Sequence, residues 1–276
     1  MFNEIIWPVV ALGGLGLILG LGLAIASKLL AVESDPNIEL VRDLLPGANC
    51  GGCGFPGCDG FAKAVCAGET QVSKCVALSS DKLNEISSLL GVDAQAAEKM
   101  VARVLCQGDS QNCVSQFKYS GISDCRAAAM LAGGPSACAF GCVGLLTCAK
   151  VCPFGAITLS SKGIATVNED ICSGCGQCAE ACPKNGIVIM PKKNNVYICC
   201  RTTEKGKAVA AICKTGCISC SLCTKKCPEG AIVMKDNLPV IDYDKCTGCG
   251  VCVSVCPKGT IAMTDKGEDA CTAVNS

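Results

Sequence analysis

The spacing of cysteine limits this chain more than any other feature of its sequence. The segment ICSGCGQCAEACP, residues 171 to 183, contains four cysteines with two, two and three residues between them, and it ends with proline. Cys-Pro recurs in the second half of the chain in CPFGAITL, CPKNGIVIM, CPEGAIVM and CPKGTIAM, and each time a short run of strand-forming residues follows. One supersecondary unit therefore appears four times, which predicts two similar modules in tandem.

Composition narrows what these modules can do. Of 276 residues, 28 are cysteine and none is histidine, and such a cysteine content is typical of disulfide or metal scaffolds. Without histidine there is no imidazole ligand or imidazole base, so cysteine carries the chemistry. The charge balances at 24 basic and 24 acidic residues, and aromatic residues make up 4% of the chain. Neither a basic stripe nor a stacking surface for nucleic acid is visible.

Three chemistries compete for cysteines at this spacing. Disulfides have a restricted geometry that cysteines so close in sequence seldom meet. Zinc takes its ligands from two separated pairs, whereas here three evenly spaced cysteines are followed by a fourth before proline. In a C-x2-C-x2-C-x3-C-P run, the first three thiolates bind one [4Fe–4S] cluster and the fourth binds the companion cluster. Iron–sulfur is therefore the interpretation that fits the spacing, with disulfide and zinc as the alternatives.

This rule assigns the ligands of three clusters. They are Cys172, Cys175 and Cys178 with Cys152; Cys246, Cys249 and Cys252 with Cys227; and Cys217, Cys220 and Cys223 with Cys256.

A fourth cluster departs from the rule. Aligning CAFGCVGLLTCAKVCP on CKTGCISCSLCTKKCP places Leu145 where the second unit has a cysteine. We expect Cys138 to replace the missing ligand, beside Cys142, Cys148 and Cys182.

The glycine-rich segment NCGGCGFPGCDGFAKAVCAGETQVSKC predicts a fifth cluster, held by Cys50, Cys53, Cys58 and Cys75. Glycine permits the tight turns and the close backbone approach that a cluster requires. Cys66 is left over and is predicted to be a small buried residue.

Two interpretations stay open for a further set of cysteines, Cys106, Cys113, Cys125, Cys200 and Cys213. They hold a sixth [4Fe–4S] cluster, or several of them are ordinary buried thiols, a common state of free cysteine. For Cys199 and Cys271 the sequence indicates no role.

The N-terminal segment predicts a membrane anchor. No charged residue lies between Ile5 and Ser27, and a helix of that length exceeds the ~30 Å of a bilayer core. A secretory signal peptide is the alternative, because AIAS resembles a cleavage site, but the leader MFNE is acidic where such peptides are basic. Lys28 follows the span and favours the cytoplasmic side for the rest of the chain.

We expect an α+β fold in five parts. These are a transmembrane anchor at 1–31, an Fe–S domain at 32–78, a helical spacer at 79–104, and two tandem bacterial 2[4Fe–4S] ferredoxin-like modules at 105–195 and 196–276. Apolar residues at helical spacing in the spacer, with a break at Gly91, predict two helices. Each module should contain a hairpin, with turns at Lys162-Gly163 and at Asp236-Asn237.

The apolar N-terminus, CGGCGFPGCDGFAKAVCAGETQVSKC and the following repeats together resemble the B subunits of Rnf electron-transport complexes. The resemblance covers nearly the whole chain and is to the long form with two tandem ferredoxin modules, in which GGPSACAFGCVGLLTCAKVCPFGAI also fits. It implies a membrane complex that oxidises reduced ferredoxin, reduces NAD+ and moves Na+ or H+ across the membrane. In that family this component receives electrons from ferredoxin and passes them to partner subunits, which carry the flavins and the NAD site.

For this chain the resemblance implies electron relay by [4Fe–4S] clusters without a catalytic residue. No credible dinucleotide fingerprint lies outside the apolar N-terminus. Two lysine pairs, Lys192-Lys193 and Lys225-Lys226, are candidates for steering an acidic ferredoxin. The runner-up function is a polyferredoxin of another membrane-bound or soluble oxidoreductase, and the third is a zinc-stapled interaction protein.

Overall fold

A computed structural model describes residues 2–29, 35–93 and 98–264. The chain begins with helix α1, Phe2–Leu29. Its segment Val9–Ser27 has a mean hydropathy of 2.4 and no buried residue. By length and composition this helix could cross a membrane, and a signal sequence near an N-terminus would share both properties.

A small helical domain follows, made of α2 (Pro36–Leu44), α3 (Gly57–Cys66), a short 3-10 turn at Val72–Lys74 and α4 (Ser80–Leu90). Asp35 starts α2 by accepting a hydrogen bond from the Asn37 N–H at 2.9 Å. Val41, Phe61 and Ile86, one from each helix, are almost completely buried in one core. Helix α4, predicted as part of a separate spacer, therefore belongs to this domain.

The second helix predicted after Gly91 is wrong over its last residues, where the chain forms strand β1, Met100–Val104. Residues 94–97 of that prediction lie outside the described part of the chain. Val101 and Val104 are buried, and their three-residue spacing suits a helix as well as a strand. Pairing with β4, Ile187–Pro191, decides the outcome, because the backbone of β1 finds its hydrogen-bond partners there, with Ala102 opposite Ile189.

Strand β1 opens the first module and β4 closes it. Between them lie α5 (Cys125–Ala129), α6 (Thr147–Lys150), β2 (Ile157–Leu159), β3 (Ala165–Val167) and α7 (Gln177–Ala181). The second module repeats the plan with β5 (Val196–Ile198), α8 (Lys207–Ile212), α9 (Leu222–Lys226), β6 (Ile232–Lys235), β7 (Leu238–Ile241), α10 (Val251–Ser254) and β8 (Ile261–Met263). Strands β5 and β8 pair as β1 and β4 do.

Both predicted hairpins are confirmed. Strands β2 and β3 pair antiparallel, as do β6 and β7. In the second hairpin Asp236 and Asn237 adopt positive φ angles of 49° and 64°. This is the left-handed backbone of a tight hairpin turn, and Asp and Asn tolerate it better than other side chains.

The two modules meet across a small core, and a buried arginine of the first module contacts Tyr197 of that core. Met190 of the first module packs with Tyr197 and Ala262 of the second. Arg103 of β1 forms a 3.1 Å ion pair with Glu169, and both side chains are 0–1% exposed.

Candidate metal centres

The predicted ligand sets lie at six places in the fold, which are numbered here by their spatial order. Site 1 consists of Cys50, Cys53, Cys58 and Cys75 in the helical domain. Burial raises the pKa of Cys75 to about 11, and the three other thiols lie close enough to add to that rise. Cys66 is half-buried and packs against the same core without joining the site.

Site 2 consists of Cys152, Cys172, Cys175 and Cys178, which line one cavity in the first module. The backbone N–H groups of Ala102 and Gly174 each donate to the Cys172 sulfur at 3.4 Å. Such donors lower the charge density on a thiolate and tune the reduction potential of a cluster that it binds.

Site 3 differs from the prediction at one position. Cys125 lines a cavity with Cys142, Cys148 and Cys182, whereas Cys138 lines a different one. The fold therefore brings Cys125, and not Cys138, to the place left without a ligand by Leu145. Burial raises the pKa of Cys148 to about 12, and the nearby thiols of Cys142 and Cys125 contribute.

A capping network places Cys125 in site 3. Asp124 caps α5 by accepting hydrogen bonds from the N–H groups of Arg126 and Ala127. Thr147, at the start of α6, donates to Asp124 at 3.0 Å and accepts from the Cys125 N–H at 2.6 Å. The network joins α5 to α6, which carries Cys148. Its only sequence signal is an aspartate one residue before a short helix.

Site 4 lies between the modules. Besides Cys199, five cysteines line a cavity of about 350 Å³ there: Cys106, Cys113, Cys138, Cys200 and Cys213. Cys125, predicted as part of this set, is in site 3 instead.

Four of these five cysteines form two equivalent pairs. The Cys142 N–H donates to the Cys106 sulfur at 3.3 Å in the first module, and the Cys217 N–H donates to the Cys200 sulfur at 3.5 Å in the second. Cys142 and Cys217 occupy the same place in the repeat, so Cys106 corresponds to Cys200.

Cys138 likewise corresponds to Cys213, because each stands four residues before that shared position. We define site 4 as Cys106, Cys138, Cys200 and Cys213, one pair from each module. The fifth cysteine, Cys113, hydrogen-bonds Cys213, which raises the pKa of Cys113 and lowers that of Cys213. Cys113 also lies 3.0 Å from the Ser136 hydroxyl.

Sites 5 and 6 contain the cysteines that the repeat predicts. Site 5, lining a cavity in the second module, consists of Cys217, Cys220, Cys223 and Cys256. Site 6 consists of Cys227, Cys246, Cys249 and Cys252, and burial, followed by the proximity of Cys246, raises the pKa of Cys252 to about 11. Among the described cysteines only Cys220 and Cys249 are exposed.

Two buried polar side chains indicate that these cavities suit a ligand. Gln107 is 4% exposed and lines the cavity of site 4, yet its amide has no hydrogen-bond partner among the described residues. Within the same part of the chain, the Ser173 hydroxyl at site 2 is also buried without a partner. Because buried polar groups normally bond, both are donors available to a bound sulfide.

The separation of the thiols favours a multi-iron group over a single ion. Among the described residues no three Cys, Asp or Glu side chains converge on the position of one metal ion. Cysteines that each bind a different iron of a [4Fe–4S] cluster stand farther apart than those that share one zinc. Burial raises the pKa of Cys75, Cys148 and Cys252, so binding iron at these thiols would release protons.

The six sites form a continuous series. Site 1 touches site 2, because a Cβ on Gly52 would lie 3.0 Å from the Cys175 Cα. Helices α6 and α7 pack together. Each of them carries a cysteine of one of sites 2 and 3 and lies next to a cysteine of the other. The N–H to sulfur contacts of Cys142 and Cys217 join site 4 to its neighbours on both sides. Helix α9 carries Cys223 of site 5 and ends just before Cys227 of site 6.

Comparison with known proteins agrees with this chemistry. A family model described as "Putative Fe-S cluster" matches residues 45–77, and one described as "4Fe-4S dicluster domain" matches residues 137–186 and 216–267. Besides Cys199, five cysteines in or beside sites 3 and 4 lie outside these matches: Cys106, Cys113, Cys125, Cys200 and Cys213.

Curated relatives cover most of the chain. The B subunit of the Na(+)-translocating ferredoxin:NAD(+) oxidoreductase complex of Acetobacterium woodii is 42% identical over 89% of this chain and 74% of its own length. The B subunit of the ion-translocating oxidoreductase complex of Methanosarcina acetivorans is 40% identical over 75% and 78%. The B subunit of the proton-translocating ferredoxin:NAD(+) oxidoreductase complex of Clostridium ljungdahlii is 42% identical over 74% and 72%. This chain therefore belongs to the family of B subunits of the Rnf, or ion-translocating oxidoreductase, complexes.

Proposed function

We propose that this chain takes electrons from reduced ferredoxin and relays them through six [4Fe–4S] sites to partner subunits of an ion-translocating ferredoxin:NAD+ oxidoreductase. The observation that carries the proposal is the unbroken series of cysteine sites from site 6 to site 1. The names of the relatives support ferredoxin as the electron donor and NAD+ as the electron acceptor of the complex. Na+ or H+ would cross the membrane in the partner subunits.

The chain's own residues would hold, bury and insulate the clusters. When bound, each cluster supplies one-electron exchange with little change in its bonding. Cysteine thiolates bind the iron, and backbone N–H groups such as that of Gly174 point at ligand sulfur. Site 4 would pass electrons from the second module to the first, since in the series of six sites it is the one that connects them.

Helix α1 would anchor this relay in the cytoplasmic membrane, with the iron–sulfur domains on the cytoplasmic side. Its uncharged length supports the anchor, and Lys28 after the span supports this orientation. Site 1 follows α1 most closely in the chain, so electrons would leave toward the membrane partners from that end.

The proposal is tested by iron, sulfide and reduction on anaerobically purified full-length protein. We expect about 24 iron and 24 acid-labile sulfide per chain, four of each for every [4Fe–4S] site. Reduced ferredoxin should bleach the visible absorbance, and low-temperature EPR should then show reduced [4Fe–4S] centres.

Other outcomes would contradict the proposal in distinct ways. About 20 iron atoms per chain would mean that one site holds no cluster. Site 4 would be the first to re-examine, because three of its four cysteines lie outside the family matches. Zinc in place of iron would leave an interaction scaffold. Full iron without reduction by ferredoxin would favour a polyferredoxin of another oxidoreductase.

A further inference from the structure

The loops of sites 2 and 6 are two copies of one structure with different surroundings. The sequences CSGCGQC, at 172–178, and CTGCGVC, at 246–252, align residue for residue. Both loops are supported from the same side. A Cβ on Gly174 would clash with Met100 at the start of β1, and one on Gly248 would clash with Asn195 just before β5.

In the first module this loop carries a bound iron–sulfur domain. The Gln177 amide donates to the Cys50 carbonyl of site 1 at 2.6 Å. Gly52 lies against Cys175 so closely that a Cβ there would also be 3.0 Å from the Cys175 carbonyl oxygen. The contact places a ligand of one cluster site directly against a ligand of the next.

In the second module the corresponding surface is exposed among the described residues. Cys249, the counterpart of Cys175, is exposed. Val251 stands in place of Gln177 and is 36% exposed. Site 6 is also the last site in the series, so the described chain offers it no further neighbour on that side.

Unpaired positive charge lies next to this surface. Lys225 and Lys226 are exposed in the last turn of α9, directly before the site 6 ligand Cys227, and neither forms an ion pair with any described residue. The other lysine pair considered for steering is already engaged, since Lys192 pairs with Asp170 at 2.8 Å and Lys193 pairs with Glu98 at 2.7 Å.

We propose that the loop 246–252, together with Lys225 and Lys226, is the docking surface for the external electron donor, a small acidic iron–sulfur protein. The donor would sit on Cys249 as the site 1 domain sits on Cys175. One electron would pass from the donor's iron–sulfur group, which would be oxidised, to the cluster that Cys227, Cys246, Cys249 and Cys252 would hold, which would be reduced; this transfer needs no bond change and no proton. The inference rests on the proposed function, because it assigns the entry point for ferredoxin.

The test compares two matched substitutions in the full-length protein. Val251→Asp places a negative charge and removes an apolar contact at the proposed surface. Leu159→Asp makes the same change at an exposed leucine of strand β2, in the first module. Stopped-flow absorbance would measure the second-order rate of reduction by reduced ferredoxin, with dithionite as a small reductant that needs no docking.

We expect Val251→Asp to lower the ferredoxin rate about tenfold, as charged substitutions at docking surfaces act on association rates, and to leave the dithionite rate and iron content unchanged. Leu159→Asp should leave all three unchanged. Should Val251→Asp lose iron, the variant Lys225→Glu/Lys226→Glu replaces it and should slow ferredoxin most at low salt.

Three results would overturn the inference. Equal ferredoxin rates for wild type and the site 6 variants would show that this loop is not used. An equal loss in Leu159→Asp would show that the effect of the added charge is not specific to the site 6 loop. If ferredoxin fails to reduce wild-type protein that dithionite reduces, the proposed donor is itself wrong and the docking surface falls with it.

Discussion

Cys125 reaches site 3 through its neighbour Asp124. The Asp124 carboxylate caps α5 and accepts a hydrogen bond from Thr147 of α6. The N–H groups and the Thr147 hydroxyl that it accepts from hold the pKa of Asp124 below its usual range. The cap is therefore charged at neutral pH, and it sets the position of a cysteine far from the rest of its site in sequence.

At the residue scale, alanine substitutions should separate ligands from spare cysteines. Cys125→Ala and Cys138→Ala should each remove about four iron per chain, because each residue completes a different [4Fe–4S] site. Cys113→Ala and Cys66→Ala are the matched controls and should retain full iron. Iron analysis with EPR checks this.

The opposite pattern would identify the error. Iron loss in Cys113→Ala with full iron in Cys138→Ala would show that the two-fold arrangement of site 4 is wrong. Equal spectra for Cys125→Ala and Cys138→Ala would mean that both serve one site.

The residues show which ligands a sequence can reveal. Sites 2, 5 and 6 were predictable because all four cysteines stand in the repeat at a spacing that the cluster itself requires. The places of Cys125 and Cys138 were not, because a lone cysteine has no spacing to indicate its partners. Their sites depend on how α5 and the neighbouring module fold back, which is a tertiary property.

At the scale of elements, Arg103 ties β1 to the second module. Besides Glu169, its guanidinium donates to the Thr264 hydroxyl at 3.2 Å and to the Asn194 carbonyl. It also lies over the Tyr197 ring, 4.6 Å from the centroid. A single buried cation thus contacts the first module, the connection and the second module.

Breaking this ion pair should be costly. Arg103→Met leaves Glu169 buried and unpaired, and we expect a loss of about 3–5 kcal/mol of stability. Arg103→Met/Glu169→Leu should recover most of it, because apolar residues can replace a buried pair. Chemical denaturation followed by visible absorbance would measure both.

The exposed pair Lys193–Glu98 supplies the control, since Lys193→Met should cost less than about 1 kcal/mol. Comparable losses in the Lys193 and Arg103 variants would argue against a clamp at Arg103.

Some of the helices and strands can be predicted from the sequence, and others cannot. The hairpins β2–β3 and β6–β7 follow from local turn residues and strand-forming neighbours. Strand β1 does not, because its partner β4 lies in a distant part of the chain, with Val104 opposite Ile187, and the same valines would fit a helix.

At the scale of the whole molecule, the series of sites begins with the domain that follows α1 and ends at the exposed loop of site 6. We expect α1 to stay attached in the mature protein. Mass spectrometry of protein extracted from membranes should find the intact N-terminal segment, and deletion of residues 2–29 should move the protein to the soluble fraction with its iron unchanged.

Cleavage near Ser27 in the mature protein would instead identify α1 as a signal sequence. A deletion variant that remains tightly bound to membranes through partner subunits would show that the helix is not the main anchor.

Because both modules contribute cysteines to site 4, this site also bears on how the protein matures. Its cysteines come in equal pairs from two modules, so neither module alone would supply the four ligands of the cluster that we propose there. Clusters inside single modules could be inserted as each module folds, whereas this one would be inserted later. Iron at site 4 would then be present only in a chain whose two modules have both folded. A chain that is cut or misfolded in either half would lack this cluster, and the series of sites would be interrupted there.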